Sequence, residues 1–473
     1  MSDLVDLTIA EAAPMIRERE LSPVELTAAY LDRIAERNDA YNAYITVTRE
    51  RAIADAKRAE AEITAGQYRG ALHGVPIGLK DIVSTAGIRT TCGSKILRDW
   101  IPDADAHVAS KLSAAGSVLL GKLNTHEFAM GATNNNPHFG PARNPWNLAV
   151  VSGGSSGGSG VAMAGRLAMA AIGTDTGGSI RIPAALCGCV GLKPTYGLVS
   201  RSGVHPLSGM RDHVGPLTRS VEDAALMLQA VAGYDPDDAN SLNIGPGNYL
   251  ATIRDGVAGL RIGVPAGVFA ELPTAEVRGA IAAALDVLAG MGATVLPVEL
   301  DHAADLATIG SVLMPVEAGY YHRAYLPDRI SEYGADLQAR FGAPEPDRVS
   351  ISTALAASEA VRVAFQRVLT TVDLLATPTV AFTAPPIGAH EFTVDGRTYS
   401  EADIPALTLA ANHARTPVLS VPCGFSAANL PIGLSLMGRP FDEARVLRVG
   451  YAYEQATDWH RRRPDESSER SIA

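Results

Sequence analysis

The sequence reads Ser152-Gly-Gly-Ser-Ser-Gly-Gly-Ser-Gly160 and then, after a short apolar stretch, Gly173-Thr-Asp-Thr-Gly-Gly-Ser-Ile-Arg181. Nine glycines fall between Gly153 and Gly178. A flexible Gly/Ser linker has a similar composition. Here, however, the first segment leads directly into an apolar, alanine-rich helical pattern and then into a second glycine-rich turn. This arrangement is typical of a core segment and not of a linker.

Two known glycine motifs can be compared with these segments. A phosphate-binding loop would end in Gly-Lys-Ser/Thr or contain G-x-G-x-x-G, and the two segments lack both patterns. The stretch Gly153–Gly157 does match G-x-S-x-G, the nucleophile elbow of hydrolases, and His390, His413 and His460 lie downstream as candidate bases. A histidine-dependent esterase built on Ser155 is therefore one alternative.

A second interpretation is acyl transfer with Ser179 as the nucleophile. Ser179 directly follows two glycines, where the missing Cβ atoms allow close approach of backbone to substrate. Successive backbone amides at this turn can converge on the oxygen of a tetrahedral intermediate. The four amides are those of Thr176, Gly177, Gly178 and Ser179. Ser155, earlier in the chain, would lie beside the nucleophile.

Lys80 is the candidate base for this serine, because a serine hydroxyl is a weak nucleophile without one. It lies in the apolar, strand-like stretch Val75–Val83. Only six of the 40 basic residues are lysines, so the chain uses arginine for most of its positive charge. Lysine can lose its proton when it is desolvated, whereas arginine cannot. The alternative is an ordinary solvated lysine on the surface.

Several segments resemble the amidase signature family of Ser-cis-Ser-Lys hydrolases. The two glycine-rich segments carry the resemblance, together with Gly188-Cys-Val-Gly-Leu-Lys-Pro-Thr195. Further blocks that resemble the family are Gly74–Asp81, Lys122–Met130, Phe139–Trp146, Leu430–Pro440 and Tyr453–Gln455. The similarity covers most of the chain and is weakest at about residues 235–370.

The resemblance implies a catalytic triad. Ser179 would be the acyl-forming nucleophile, Ser155 would sit on a cis peptide bond and relay a proton, and Lys80 would be the terminal base. Met130 and Gly131, with Ser155, would line the substrate site. Asp175 and Arg181 flank the nucleophile loop and are interpreted as an ion pair that supports it. Neither a metal nor an organic cofactor is expected.

The order of strand-like and helical patterns predicts an α/β fold. The resemblance implies an α/β/α sandwich around a large, mostly parallel mixed sheet. We expect one domain over residues 1–473, with a helical N-terminal segment over about 1–65 and a variable helical specificity region over about 235–370.

The expected reaction is hydrolysis of a carboxamide, with an ester or carbamate as further substrates of the same chemistry. The alternative from the same family is the glutaminase (A) subunit of a tRNA-dependent amidotransferase, which works beside a tRNA-binding partner. A catalytically silent binding protein on the same fold is a third possibility. Turnover of glutamine, with and without such a partner, would distinguish them.

Composition restricts partners and compartment. A net charge of −11 disfavours nucleic acid or an anionic membrane as the main partner. Four cysteines are too few for a disulfide framework, and the acidic N-terminal region, with Asp6 and Glu11, does not resemble a signal peptide. We therefore expect a cytoplasmic enzyme with a small-molecule substrate, no nucleic acid and no membrane. A homodimer is expected from the family.

Overall fold

The computed structural model describes residues 4–245, 247–302 and 306–465, which carry one large β-sheet with helices packed against it. The strands are β1 (Tyr44–Val47), β2 (Pro76–Lys80), β3 (Val118–Leu123), β4 (Ala170–Asp175), β5 (Val190–Lys193), β6 (His213–Thr218), β7 (Arg261–Pro265), β8 (Thr294–Val298), β9 (Leu374–Pro378), β10 (Glu391–Val394), β11 (Arg397–Ser400), β12 (Val418–Phe425) and β13 (Pro431–Met437). The helices are α1 (Ile9–Arg17), α2 (Pro23–Tyr41), α3 (Arg49–Thr64), α4 (His107–Ala114), α5 (Gly157–Ala164), α6 (Arg181–Cys187), α7 (Val221–Val231), α8 (Val268–Glu271), α9 (Ala275–Gly290), α10 (Leu306–His322), α11 (Leu326–Arg329), α12 (Ala335–Gly342), α13 (Arg348–Thr371), α14 (Leu409–Ala414) and α15 (Glu443–Gln455).

The large sheet has eleven strands in the order β1-β3-β2-β4-β6-β5-β12-β13-β9-β7-β8, and β10 and β11 form a separate hairpin. Parallel pairing joins β3-β2-β4 in one half and β9-β7-β8 in the other, and the strands between and beside them pair antiparallel. Helices α5 and α6 pack on one face, and α7, α9 and α15 pack on the other. This confirms an α/β/α fold around a large mixed sheet.

The parallel strands β2 and β4 position the functional residues. Both are completely buried, as expected for strands covered on both faces, and polar residues occur only at their carboxyl ends: Lys80 in β2, and Thr174 and Asp175 in β4. Leu79 of β2 pairs with Ile172 of β4, so the two strands end at the same edge of the sheet. In α/β folds, ligands bind at the carboxyl ends of the parallel strands. Lys80 is the last residue of β2, and its side chain contacts Thr174, the residue before the end of β4.

The N-terminal segment differs from an all-helical prediction in one element. Helix α2 begins as its sequence suggests: Ser22 is the N-cap, its Oγ accepts the amides of Val24 and Glu25, and Pro23 is the first helical residue. Between α2 and α3, however, β1 pairs antiparallel with β3 at the edge of the sheet. The strand has four residues, which is too short for a clear period-two pattern.

The region predicted to be variable and helical also contributes to the sheet. Over the described part of residues 235–370, helices α10–α13 follow one another between Leu306 and Thr371, but β7 and β8 form the edge of the sheet opposite β1. The single-domain extent of 1–473 includes residues 1–3 and 466–473, which lie outside the described residues. Within the described ranges, none of the helices combines the length and the apolar character needed to cross a membrane.

Candidate active site

Lys80 is a fully buried base candidate at the carboxyl end of β2, with 0% of its surface exposed. Its Nζ donates to Ser155 Oγ at 2.6 Å and to Thr174 Oγ1 at 2.8 Å. Burial lowers the pKa of Lys80 to about 7, and the charges of Asp175 and Asp212 oppose this shift only in part. A large fraction of Lys80 is therefore neutral near pH 7, as a general base must be.

Ser155 lies on a tightly held turn before α5. The Gly154–Ser155 peptide bond is cis, as the family resemblance implied. The carbonyl of Ser155 accepts the amide of His126 at 3.0 Å and the hydroxyl of Thr125 at 2.9 Å. The amide of Gly154 donates to the carbonyl of Ala132 at 2.7 Å. These bonds fix the turn so that the Ser155 hydroxyl faces the Lys80 amine.

Ser179 lies beside this turn, just before α6. Its carbonyl accepts the amide of Ser156 at 3.3 Å, which joins the two glycine-rich segments of the sequence. Lys80 and Ser155 are fully buried, whereas Ser179 is 9% exposed and Gly177 is partly exposed. The three predicted catalytic residues are thus brought together, with Ser179 on the side that opens to solvent.

A buried ion pair between Asp175 and Arg181 supports the loop that carries Ser179. Arg181 donates from Nε to Asp175 Oδ2 and from Nη2 to Asp175 Oδ1, both at 2.9 Å. The same carboxylate accepts the amides of Gly178 at 2.8 Å and Ile180 at 3.2 Å. Burial alone would raise the pKa of Asp175, but the adjacent Arg181 charge and its hydrogen bonds hold it well below its usual range. The pair thereby holds both ends of the Ser179 turn.

Replacing Arg181 is expected to destabilise the fold. Arg181→Met leaves the Asp175 charge buried without its partner, which typically costs about 3–5 kcal/mol. The pKa of Asp175 lies below the value of about 3.9 in an unfolded chain, so the contribution of the pair is full above about pH 4 and is lost as pH falls further. Urea unfolding at pH 7 and below pH 4 measures this.

The control for this variant is Arg362→Met, which removes a more exposed ion pair with Glu359. Such a pair contributes less than about 1 kcal/mol. Equal unfolding free energies for Arg181→Met and wild type at pH 7 would contradict a supporting role for the Asp175–Arg181 pair.

The predicted set of four oxyanion donors is reduced by the structure. The amide of Gly178 donates to Asp175 and is not directed at a substrate, because the buried carboxylate requires donors for its oxygens. For the amides of Thr176, Gly177 and Ser179, we find no acceptor within the described ranges of the chain. These three amides stay candidates for binding an oxyanion.

A side chain at Gly178 is expected to displace the nucleophile loop. Gly178 has φ +129°, and a Cβ there would lie 2.2 Å from Thr408 Oγ1. Gly178→Val is therefore expected to lower kcat by about 10²-fold or more, since the neighbouring donors move with the loop. The measurement is kcat on one carboxamide, with Gly290→Ala as control because a Cβ at that position meets open space. Normal kcat in a folded Gly178→Val protein would show that the loop tolerates the change.

Three residues of the site have little or no signal in the sequence. Thr174 precedes Asp175 on β4 and shares the Lys80 amine with Ser155. Thr408 donates from Oγ1 to the Gly177 carbonyl at 2.6 Å, and Asn412 donates from Nδ2 to Asp175 Oδ1 at 2.8 Å. The last two lie 231 and 237 residues beyond their partners, so only the folded chain brings them to the loop.

The predicted substrate residues border the Ser155 turn. Met130 is buried in an apolar cluster with Phe128 and Leu207. Gly131 is partly exposed, and its carbonyl oxygen lies so close to Gly154 that a Cβ on Gly154 would approach it to 2.8 Å. A cavity of about 240 Å³ adjoins the site and reaches Thr174 and Thr176.

The nucleophile-elbow alternative is not supported by the geometry, because the group beside Ser155 is Lys80. The His390 side chain is 88% exposed, and His413 instead contacts Ser358. Within the described ranges, no group of three or more histidine, cysteine, aspartate or glutamate side chains is arranged to hold a metal ion.

Comparison with known proteins places this chain in a family. The family model described as Amidase matches residues 25–447, and the chain belongs to that family. The resemblance drawn from the sequence is therefore confirmed, and the chain is an amidase-family enzyme.

Individual relatives are of two kinds. The A subunit of glutamyl-tRNA(Gln) amidotransferase from Geobacter sp. (strain M21) is 42% identical over an alignment of 483 positions, which covers 97% of this chain and 99% of the relative. The structure of the corresponding A subunit from Thermotoga maritima has a TM-score of 0.81 at 33% identity, covering 96% of both chains. A chain from a vestigial complex that reveals the evolutionary origins of an s-triazine catabolic enzyme has a TM-score of 0.90 at 33% identity, covering 95% of this chain and 98% of that one.

These relatives contradict our prediction for partners. We expected a small-molecule substrate, no nucleic acid and a homodimer, whereas the Geobacter relative is named as one subunit of an enzyme for a tRNA. The prediction used the net charge of the chain, and that argument has a physical weakness. The net charge of one subunit does not describe an assembly, because another subunit can supply the basic surface that binds nucleic acid.

Proposed function

We propose that this chain hydrolyses a carboxamide through an acyl-enzyme on Ser179, as the amide-hydrolysing A subunit of a tRNA-dependent amidotransferase. The single observation that carries the chemistry is the contact of 2.6 Å between the buried Lys80 amine and the Ser155 hydroxyl. The full-length relationship to named A subunits supports the assembly.

The acylation step follows from the order of the three residues. Neutral Lys80 accepts the Ser155 proton while Ser155 accepts the proton of Ser179, so the Ser179 oxygen attacks the carboxamide carbon. The negative charge that develops on the carbonyl oxygen is bound by the free amides of the Thr176–Ser179 turn. When the intermediate collapses, the proton returns through Ser155 to the nitrogen, and ammonia leaves from a primary amide.

Deacylation uses the same groups, with a water molecule in place of the Ser179 hydroxyl as the attacking group. A water molecule attacks the Ser179 ester, its proton passes through Ser155 to Lys80, and the proton then returns to Ser179 as the carboxylic acid leaves. One proton is transferred and returned in each half-reaction, so Lys80 ends neutral. Arginine could not perform this step because its guanidinium remains protonated.

Turnover of glutamine tests whether the chain works as the A subunit of an amidotransferase. We expect ammonia release from glutamine to be slow for the isolated chain and faster when the chain replaces the A subunit in the Geobacter amidotransferase. Ammonia release should also increase when glutamyl-tRNA is added. The Ser179→Ala chain in the same assembly is the control for contaminating glutaminase. Failure of the chain to assemble, with glutamine turnover unchanged, would contradict the proposed assembly but not the acyl-enzyme chemistry.

A second candidate is an amidase that acts on a different carboxamide. It is favoured by the TM-score of 0.90 to the chain linked to an s-triazine catabolic enzyme, against 0.81 to the Thermotoga relative. Turnover of a panel of primary amides, anilides and carbamates by the chain alone, with kcat/KM above that for glutamine, would support this candidate.

A further inference from the structure

Residues 126–131 follow β3 and hold the Ser155 turn from two sides. At the start of this segment, the amide of His126 donates to the Ser155 carbonyl at 3.0 Å. At its end, the carbonyl of Gly131 lies against Gly154, the residue before Ser155. The triad chemistry described above uses this backbone as support but gives the side chains of the segment no role.

The side chain of His126 links this segment to α12. It is buried, and its Nε2 lies 3.1 Å from Oδ2 of Asp336 in the first turn of the helix. Burial alone would raise the pKa of Asp336, but the hydrogen bond from His126 outweighs it and lowers the pKa below its usual range. The carboxylate is therefore ionised near pH 7 and only accepts, so Nε2 of His126 donates to it. Since Nδ1 of the ring has no partner within the described part of the chain, the bond to Asp336 orients the ring.

The His126 ring fills the space beside Gly131. A Cβ on Gly131 would lie within 2.5 Å of three atoms of the ring, which is closer than nonbonded atoms approach. A Cβ on Gly154 would in turn lie 2.8 Å from the Gly131 carbonyl oxygen. The ring, Gly131 and Gly154 are thus packed in series. Because a close-packed interior transmits displacements, a rotation of the ring would move the Ser155 turn.

The backbone of the segment is held in an uncommon conformation. Phe128 and Ala129 have φ of 48° and 61°, in the left-handed region that residues with a side chain seldom adopt. Such a conformation persists where the surrounding structure fixes it. The buried Glu127 does so by accepting the Gly334 amide at 2.8 Å and the Ser94 hydroxyl at 2.6 Å. Gly334 is the N-cap of α12, so the segment is fixed to the same end of the helix that binds the ring.

The position of the Ser155 hydroxyl determines how fast a proton passes between Lys80 and Ser179. Lys80 Nζ lies 2.6 Å from Ser155 Oγ, so a small displacement breaks this contact. A misplacement of about 1 Å in a catalytic group can lower the rate about 10²-fold. Whatever fixes the turn therefore influences catalysis.

We propose that His126 is a positioning residue for the proton relay and that Asp336 sets its orientation, which couples the start of α12 to catalysis at Ser155. The proposal rests on the amide hydrolysis proposed above. His126 acts through the Ser155 turn and transfers no proton itself. Helix α12 lies within residues 235–370, where the resemblance to the family is weakest. A change in this part of the chain would thus alter the rate while the triad stays the same.

Asp336→Ala tests the coupling with little risk to the fold, because the Asp336 side chain is 43% exposed. We expect kcat for a carboxamide to fall about tenfold and kcat for the matched ester to fall less than about threefold. The amide is more sensitive because an amine leaves only with a proton delivered through Ser155. Loss of stability alone would lower both rates by the same factor. Glu332→Ala is the matched control, since it removes a nearby carboxylate that binds Arg329, and it should keep both rates.

Variants of His126 test whether Asp336 acts through the ring. His126→Ala should lower kcat for the amide about 10²-fold, whereas His126→Gln should recover most of that loss because its amide can donate to Asp336. The double variant His126→Ala with Asp336→Ala should be no slower than His126→Ala, since the two residues act in series. Losses that multiply in the double variant would overturn the coupling.

Wild-type activity separates this proposal from the proposed function. If the wild type hydrolyses the amide, and His126→Ala and Asp336→Ala keep the wild-type ratio of amide to ester rates, the positioning role is wrong and amide hydrolysis stands. If the wild type hydrolyses no amide, the proposed function is wrong, and the rate at which a sulfonyl fluoride labels Ser179 decides the positioning role. Labelling should then be slower in His126→Ala than in Glu332→Ala. Equal rates, or no labelling of the wild type, would overturn the proposal.

Discussion

Ser179→Ala is expected to lower kcat by roughly 10⁶-fold, because removing the nucleophile of an acyl-enzyme mechanism leaves only binding and the oxyanion donors. The variant should fold normally, since the Ser179 carbonyl, and not its hydroxyl, accepts the Ser156 amide. The measurements are ammonia release and covalent labelling with a phosphonate or sulfonyl fluoride. Mass mapping of the labelled wild type should place the adduct on Ser179.

Ser156→Ala is the matched control for the nucleophile assignment. Its hydroxyl donates to the Thr174 carbonyl at 3.2 Å and accepts the Thr174 amide, so it belongs to the support of the turn. The Ser156→Ala variant should still be labelled at Ser179, and its activity should fall only modestly. Labelling of Ser155 or Ser156 with Ser179 unmodified would contradict the assignment and favour the elbow. If the folded wild-type protein is neither labelled nor active on any amide, the result would favour the catalytically silent alternative.

Lys80→Ala is expected to lower kcat/KM for an amide by about 10²–10⁴-fold, the usual contribution of a general base. The wild-type rate should rise with pH through an ionisation near the Lys80 pKa of about 7, because only the neutral amine accepts a proton. Below that pH the base is protonated and the rate falls. Lys80→Arg should be inactive at every pH, since the guanidinium stays charged. The measurement is kcat/KM against pH for an amide and its matched ester.

Lys193 provides the control for this pH profile. Burial also lowers the pKa of Lys193 to about 7, but its amine donates to the carbonyls of Pro194 and Thr416 and not to a serine. Lys193→Met should therefore keep the ionisation in kcat/KM, whereas Lys80→Ala should lose it. An unchanged amide rate and pH profile in Lys80→Ala would show that Lys80 is structural. If Lys193→Met loses the ionisation and Lys80→Ala keeps it, the ionisation belongs to Lys193 and not to Lys80.

Most of the sheet was predictable, and the misses have physical reasons. Strands such as β2 and β4 are apolar except at their carboxyl ends, because both faces are covered. Strand β6 was not predicted, since it contains Gly215 and Pro216, which normally disfavour a strand. In the structure it pairs with β4 on one side and β5 on the other. Burial between two neighbours outweighs the local preference.

The candidate site was predictable where its chemistry is local in sequence. The Gly177-Gly178-Ser179 turn and a lysine on an apolar strand point to a nucleophile and a base without any structure. The use of each amide was not predictable. Gly178 was interpreted as an oxyanion donor, but its amide donates to the Asp175 carboxylate. Which donors a buried charge takes depends on the three-dimensional arrangement of the loop.

The sequence alone determines the residue types that can do acyl chemistry, the apolar strands that hold them and the family to which the chain belongs. The tertiary structure determines the partners of those residues, Thr408 and Asn412 at the loop that carries Ser179. The reason is physical. A glycine turn or an apolar strand is specified by neighbours along the chain, whereas a hydrogen bond across more than 200 residues forms only after the sheet and α14 have packed together.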